Sequence, residues 1–307
     1  MEEGLYFNQN NVQTLTLENL TKTIHENYSN GLPCGGIYHF ELLQSLFAYL
    51  KETGFKPEVT EIFAANNKDR YRPGVSIDEK TAQAKGEHSY EAHILRRVYA
   101  NVKLCESGID GIDLNMAVAY HQLGIQVAFG PMVRVCHNQT ILAARDVFSN
   151  QNISQCGNKI EIAKNVNAML EAVKEYLSDI QNRIIDMTKT VQDYQNQDFL
   201  RIHLEYILRM LMEARIRHDS NHGLIHTPVD YPLSSSQINA AFERYMIEEA
   251  SRKPLDNEEK KDGYMTWWDA LNIFNVDLKP GACIIPSIIG QSYGLGELFE
   301  NAFQMTK

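Results

Sequence analysis

The chain has 307 residues, of which 44% are hydrophobic and 22% are charged, and its formal net charge at pH 7 is −10. This length and composition are those of a globular protein with one large domain or two ordinary ones. An acidic chain is a poor binder of polyanions in general, so any contact with nucleic acid requires a local basic surface.

The cysteines and the apolar runs bear on the cellular compartment. The chain has 5 cysteines, widely scattered and without a C-x-x-C pair, which argues against a disulfide framework and against a zinc site. We therefore predict reduced thiols in a compartment like the cytoplasm. No apolar run reaches the roughly 18–20 residues that a membrane helix needs, so we expect no membrane partner. No cofactor is predicted.

The first predicted helix spans Tyr38–Lys51, and Gly54, which follows it, is its predicted C-cap. Apolar residues fall on one of its faces at spacings of three and four, namely Phe40, Leu43, Phe47 and Leu50. A possible strand follows at Val59–Phe63. The polar and basic segment 66–90 is then predicted to be a long loop.

Three strands are predicted next, between Glu91 and Leu142. Apolar residues alternate with polar or small ones in each of them, beginning with Val98, Leu114 and Ile125. Short turn segments rich in Gly, Asp and Ser separate the strands. This pattern predicts an antiparallel meander.

From Lys159 the period changes to that of a helix. Apolar residues recur at alternating spacings of four and three, namely Val166, Leu170, Val173, Leu177, Ile180, Ile184, Met187, Val191 and Tyr194. The spacing predicts one uninterrupted helix to Tyr194, about 50 Å long at about 1.5 Å per residue. Its apolar seam has to be buried against the sheet, a following helix or another subunit. A second helix is predicted to bury the apolar side chains of Phe199, Ile202, Tyr206, Ile207, Leu211 and Ile216.

These elements define an α+β protein. We predict an antiparallel sheet of three or more strands packed with a long helix, followed by a helical C-terminal half. Residues 1–157 would form the α/β half and residues 158–307 the helical half, packed together as one body.

A possible metal site involves Glu213, His218 and His222. The two histidines are four residues apart and could share a metal on one helix face. However, Asn221 and Gly223 indicate that the helix ends here, where histidines suit the negative end of the helix dipole. A metal-dependent hydrolase is therefore our third functional hypothesis.

A basic and aromatic set on and beside the first strand is the candidate nucleic-acid site. It comprises Arg70, Arg72, Arg96, Arg97, Tyr99 and Lys103. Arg97, Tyr99 and Lys103 share one parity and could line one sheet face, where cations would pair with phosphates and the ring would stack on bases. The alternative is a solvated sheet face beside a charged loop.

Two short motifs give a family resemblance. The segment Val135-Cys136-His137-Asn138 resembles a V-C-x-N signature of phage- and plasmid-borne bacterial proteins of unknown function, in which strands precede the signature and helices follow it. A late helix with a W-x-x-x-N pattern recurs in that family, here Trp268 to Asn272, whereas Gln139 departs from its usual small residue. The resemblance implies a mobile-element origin and a cytoplasmic location in a bacterial host, and it supplies no catalytic residues.

The element order is also similar to that of Rad-fifty-two-type single-strand annealing proteins. The resemblance implies a curved sheet crossed by a long helix, ring oligomers and a basic groove for single strands. Our leading hypothesis is a non-enzymatic, phage- or plasmid-encoded protein that binds single-stranded DNA or a partner protein in recombination or replication. The second is an interaction protein that forms a homo-oligomer through the 160–194 helix and inhibits or scaffolds a host or phage protein.

Overall fold

The computed structural model describes residues 12–16, 39–65, 97–106, 108–109, 112–121, 124–133, 148–150, 159–220, 233–252, 265–276, 278 and 288–306. The strands in these ranges are β1 Val12–Leu15, β2 Glu58–Ala65, β3 Arg97–Glu106, β4 Ile112–His121, β5 Gly124–Val133 and β6 Phe148–Asn150. The helices are α1 His39–Glu52, α2 Lys159–Ser178, α3 Ile180–Asn196, α4 Arg201–Ser220, α5 Ser235–Arg252, α6 Trp267–Asn275 and α7 Ile288–Gln304.

The strands form one antiparallel sheet in the order β1-β2-β3-β4-β5-β6. Ala100 of β3 lies opposite Val118 of β4, which lies opposite Val127 of β5. The predicted meander of three strands and the predicted strand at Val59–Phe63 are confirmed, as is the α+β class with a helical second half. The short strands β1 and β6, which the sequence did not predict, extend the sheet at its two edges.

Helices cover both faces of this sheet. Ala100, Val118 and Val127 are buried on one face, in a core that α1 and α2 complete. Ala117, Ala119 and Ala128 are buried on the other face, in a core formed with the later helices. The small alanines let α7 lie close against β4 and β5, and Gly290 and Gly296 of α7 are themselves buried. The sheet is thus the middle layer between two groups of helices.

A hydrogen-bonded cap ends α1 where the sequence placed it. Gly54 has a φ of 91°, in the left-handed region that glycine tolerates best. Its N–H donates to the Lys51 carbonyl over 3.1 Å, and the Phe55 N–H donates to the Leu50 carbonyl over 2.9 Å. This is the Schellman arrangement, which satisfies the last helical carbonyls.

The long predicted helix is interrupted at Asp179, so the expectation of an unbroken helix to Tyr194 is wrong. The Ser178 hydroxyl donates to the Glu175 carbonyl over 2.7 Å, and this carbonyl is the usual acceptor for the Asp179 N–H. The Asp179 N–H bonds instead to the Tyr176 carbonyl, three residues back, over 3.3 Å. The backbone leaves helical geometry there, with φ −115° and ψ 19°, and α3 begins at Ile180.

The predicted seam of α2 and α3 is buried inside the chain. Val173, Leu177 and Ile180 pack in the core beside α1. Val191 and Tyr194 pack in the other core, among the helices of the second half. The helix pair therefore connects the two cores. An oligomer built on this seam, as we predicted, would have to displace contacts that the chain already makes.

An aromatic cluster around Trp267 holds the helical half together. The centroid of the Trp267 indole ring is 4.9 Å from the ring centroid of Phe199, 5.3 Å from that of Phe303 and 6.2 Å from that of Tyr194. The α6 helix that positions it starts with a capping box, in which Thr266 and Asp269 bond reciprocally. Burial alone would raise the pKa of Asp269, but hydrogen bonds from Arg252 and Thr266 outweigh it and hold that pKa below its ordinary value.

Backbone hydrogen bonds attach the start of α4 to this cluster. The Phe199 N–H donates to the Met265 carbonyl over 2.6 Å, and the Trp267 N–H donates to the Gln197 carbonyl over 3.2 Å. The helix with the W-x-x-x-N pattern is present as α6, whereas the V-C-x-N segment lies outside the described residues. None of the described helices has the length and apolar composition of a membrane span. The division at residue 157 stays a prediction.

We expect Gly54→Ala to destabilise the protein by about 1–2 kcal/mol, because an L-residue with a side chain is strained at this positive φ. No heavy atom lies within 4 Å of the added Cβ, so the loss reports the backbone alone. Gly54→Asn is the control, since asparagine tolerates this conformation and should cost less. Urea unfolding measures the difference, and equal stability of wild type and Gly54→Ala would contradict the cap.

Candidate functional site

The structure describes only part of the predicted nucleic-acid set. Arg70, Arg72 and Arg96 lie outside the described residues. Arg97 begins β3, where its backbone pairs with Ala65, and its side chain is outside the description. Tyr99 and Lys103 can be followed atom by atom.

Tyr99 is a core residue, which corrects its predicted role as a base-stacking platform. The residue is only 1% exposed, on the sheet face that the second-half helices cover. Its ring lies 6.4 Å from that of Phe63, centroid to centroid, and burial raises the pKa of its hydroxyl. A base cannot reach this ring unless the helices separate from the sheet.

Lys103 forms ion pairs with acidic neighbours. Its Nζ lies 3.3 Å from Asp113 Oδ1 and 3.8 Å from Glu106 Oε1. The Asp113 side chain is only 3% exposed, so Lys103 compensates a carboxylate that is removed from water. The charge of Lys103 is therefore used within the chain. Tyr99 and Lys103, the two residues of the predicted DNA-binding strand face whose side chains are described, both stabilise the fold.

An amide cluster continues the polar surface beside this ion pair. Asn115 Nδ2 donates to Asn101 Oδ1 over 3.0 Å, and both amide nitrogens contact the Met132 sulfur. Asn115 Oδ1 is buried and has no hydrogen-bond partner among the residues that the structure describes. A thioether is a weak acceptor, so this cluster fixes the side chains at some energetic cost.

The proposed metal residues do not form a site among the residues described. Glu213 accepts a hydrogen bond from Arg209 over 3.0 Å. His218 belongs to α4, but its side chain is outside the description, and His222 lies outside the described residues. The predicted helix end near Asn221 lies outside the described residues, which reach Ser220 in this part of the chain. In the described ranges no group of three His, Cys, Asp or Glu side chains could hold a metal.

The outer face of α4 carries three large apolar side chains that are exposed to solvent. Ile202 is 67% exposed, Met212 57% and Ile216 62%. The buried face consists of Leu204, Ile207 and Leu211. Because an α-helix has 3.6 residues per turn, these two triplets point in opposite directions. The prediction that Ile202 and Ile216 are buried is wrong.

A row of charged side chains runs along the same outer face. Its members stand four residues apart and alternate in sign: Arg201, Glu205, Arg209, Glu213 and Arg217. Arg209 and Glu213 form an exposed ion pair, with 3.0 Å between Nε and Oε1. Ile202 flanks the row on one side, and Met212 and Ile216 flank it on the other. We name this combined surface, from Arg201 to Arg217, the α4 outer face.

The orientation of the α4 outer face is fixed at its first turn. His203 Nδ1 accepts a hydrogen bond from the Leu200 N–H over 3.1 Å, and its ring lies 4.9 Å from Trp267. Burial lowers the pKa of His203 below its ordinary value, and an accepting Nδ1 also requires the neutral ring. The first turn of α4 is thereby attached to the aromatic cluster.

Comparison of the chain with protein-family models, with curated proteins and with solved structures finds no match. The resemblances to phage-borne proteins and to single-strand annealing proteins stay predictions.

We expect Lys103→Met to lower the free energy of unfolding by about 3 kcal/mol, because it removes the cation next to the buried Asp113 carboxylate. The double variant Lys103→Met with Asp113→Asn should recover part of that loss, since it also removes the carboxylate charge. Urea unfolding measures both variants. Unchanged stability of Lys103→Met, together with weaker oligonucleotide binding, would instead support the predicted DNA contact.

We expect acidification from pH 7.5 to 5 to destabilise the wild type more than His203→Gln. The folded pKa of His203 is lowered, so its stabilising contribution is complete above about 6.5 and is lost as the pH falls through the folded pKa. Glutamine at this position can still accept from the Leu200 N–H and does not titrate. Parallel pH profiles would contradict this assignment.

Proposed function

We propose that the protein is a non-enzymatic interaction protein that binds another protein through the α4 outer face. One observation supports this most directly. Every exposed large hydrophobic side chain among the described residues belongs to the helical half. They are Ile185, Leu200, Ile202, Met212, Ile216, Phe242, Ile247 and Met305. Single exposed apolar side chains are ordinary, but the grouping on α4 is typical of a binding surface.

The polar side chains of this surface also suit a protein partner. Its charges alternate in sign, so it offers no continuous positive strip for a phosphate backbone. The side chains that were expected to bind single-stranded DNA and that can be followed, Tyr99 and Lys103, are used in the core and in ion pairs. A protein partner therefore fits the described surface better than a nucleic acid does.

The test is site-specific photo-crosslinking in living bacteria that produce the full chain. A photoreactive phenylalanine analogue replaces Met212, and a matched control places it at Glu171, an exposed position on α2. We expect a discrete protein adduct from position 212 and none from position 171. The double substitution Ile202→Ser with Ile216→Ser should remove this adduct, because it takes away the apolar flanks of the surface.

Two results would contradict the proposal. One is the absence of a protein adduct at position 212, or an adduct that persists after both serine substitutions. The other is tight, salt-sensitive binding of a single-stranded oligonucleotide that Arg97→Ala abolishes, which would favour the DNA hypothesis.

A further inference from the structure

We infer that the partner of the α4 outer face is a second copy of this chain, bound with the two α4 helices antiparallel across a two-fold axis. The inference rests on the proposed function, since it names the partner of that same surface. The charge row of α4 and its apolar flanks carry it.

The charge row is only partly neutralised within one molecule. Arg209 pairs with Glu213, and Arg217 Nε lies 3.4 Å from the Glu213 backbone carbonyl. Arg201 and Glu205 are exposed and form no ion pair or hydrogen bond with any of the described residues. The first half of the row therefore presents one exposed cation and one exposed anion that form no close ion pair with another described residue.

Antiparallel pairing gives both of these groups a partner of opposite sign. The two-fold axis would pass between the two α4 helices at the level of Ile207. Glu205 then faces Arg209 of the second copy, and Arg201 faces Glu213 of the second copy. Symmetry produces each contact twice, as in any isologous interface. A parallel pair in register would bring identical residues together along the row and would repel. The alternation of sign therefore selects the antiparallel arrangement.

The apolar side chains are compatible with the same axis. Ile202 then stands at the level of Met212 of the second copy, on the opposite side of the paired charge rows. Met305 enlarges this apolar area, because its sulfur is 3.3 Å from the Tyr206 hydroxyl, one helical turn from Ile202. The two helix axes can cross at an angle that makes the charge rows of the two copies parallel. The two rows then lie next to each other, with apolar side chains on both sides.

A charge-exchange experiment on the full-length protein tests this pairing. Sedimentation equilibrium compares wild type with R209E, with E205R, with an equimolar mixture of the two, and with the double variant R209E/E205R. We expect the wild type to dimerise. The dissociation constant of each single variant should be about thirtyfold higher than that of the wild type, because two attractive pairs per dimer become repulsive. Circular dichroism checks that each variant remains folded.

The mixture distinguishes this arrangement from all others. In a heterodimer of R209E with E205R, every one of these pairs is again attractive, so the mixture should regain the wild-type affinity. The double variant should regain the wild-type dimer affinity by itself, without a second variant in the sample. Failure of both to dimerise overturns the inference, as does a wild type that stays monomeric at 200 μM, roughly the range of weak dimers.

The outcomes also separate this inference from the proposed function. If wild type is monomeric but position 212 crosslinks to a different protein, the surface binds proteins and the self-association is wrong. If Ile202→Ser with Met212→Ser abolishes a dimer that the charge exchange does not restore, the copies associate in another geometry and the antiparallel register is overturned.

Discussion

The burial of β4 on both faces is the constraint on which the rest of this structure depends. Every residue from Ile112 to Tyr120 is buried, including the polar Asp113 and Asn115. A central strand of this kind requires a layer of helices on each side, because neither row of its side chains can be left in water. The α1 and α2 helices supply one layer, and the helical half supplies the other.

This constraint moves the binding surface away from the sheet. Proteins that bind single strands on a sheet keep one face open for bases. Here the face with Tyr99, Ala117 and Ala128 belongs to the core of the helical half. The large exposed apolar side chains of the described residues are found instead on the outside of the helices. In α4 the side used for folding and the side proposed for binding are opposite sides of the same helix.

Local sequence patterns predicted much of the fold. The alternation in β3, β4 and β5 and the spacing in α1 each arise from a single element and its own period. The strands β1 and β6 are four and three residues long, too short for a period, and their pairing with β2 and β5 defines them. The break at Asp179 depends on one serine hydroxyl, which no apolar pattern records.

The candidate site was harder to predict, for a different physical reason. Alternation correctly placed Tyr99 and Lys103 on one sheet face, but it does not report whether elements far along the chain cover that face. Tyr99 packs in a core with residues some 200 positions later, and Lys103 is neutralised by Asp113 of the next strand. In α4 the difficulty is that both sides are apolar. Spacing alone did not separate Leu204, Ile207 and Leu211 from Ile202, Met212 and Ile216.

The two apolar sides of α4 contribute unequally to the stability of the monomer, and this difference bears on the proposed dimer. The inner side is fixed by packing around Trp267, and burial of such side chains stabilises the monomer by about 1.5–3 kcal/mol each. The outer side gains nothing comparable while it faces water. An acidic chain that leaves isoleucines exposed beside the charged row of α4 retains a source of association free energy. In the proposed dimer a second copy would use it twice, because two-fold symmetry repeats each contact.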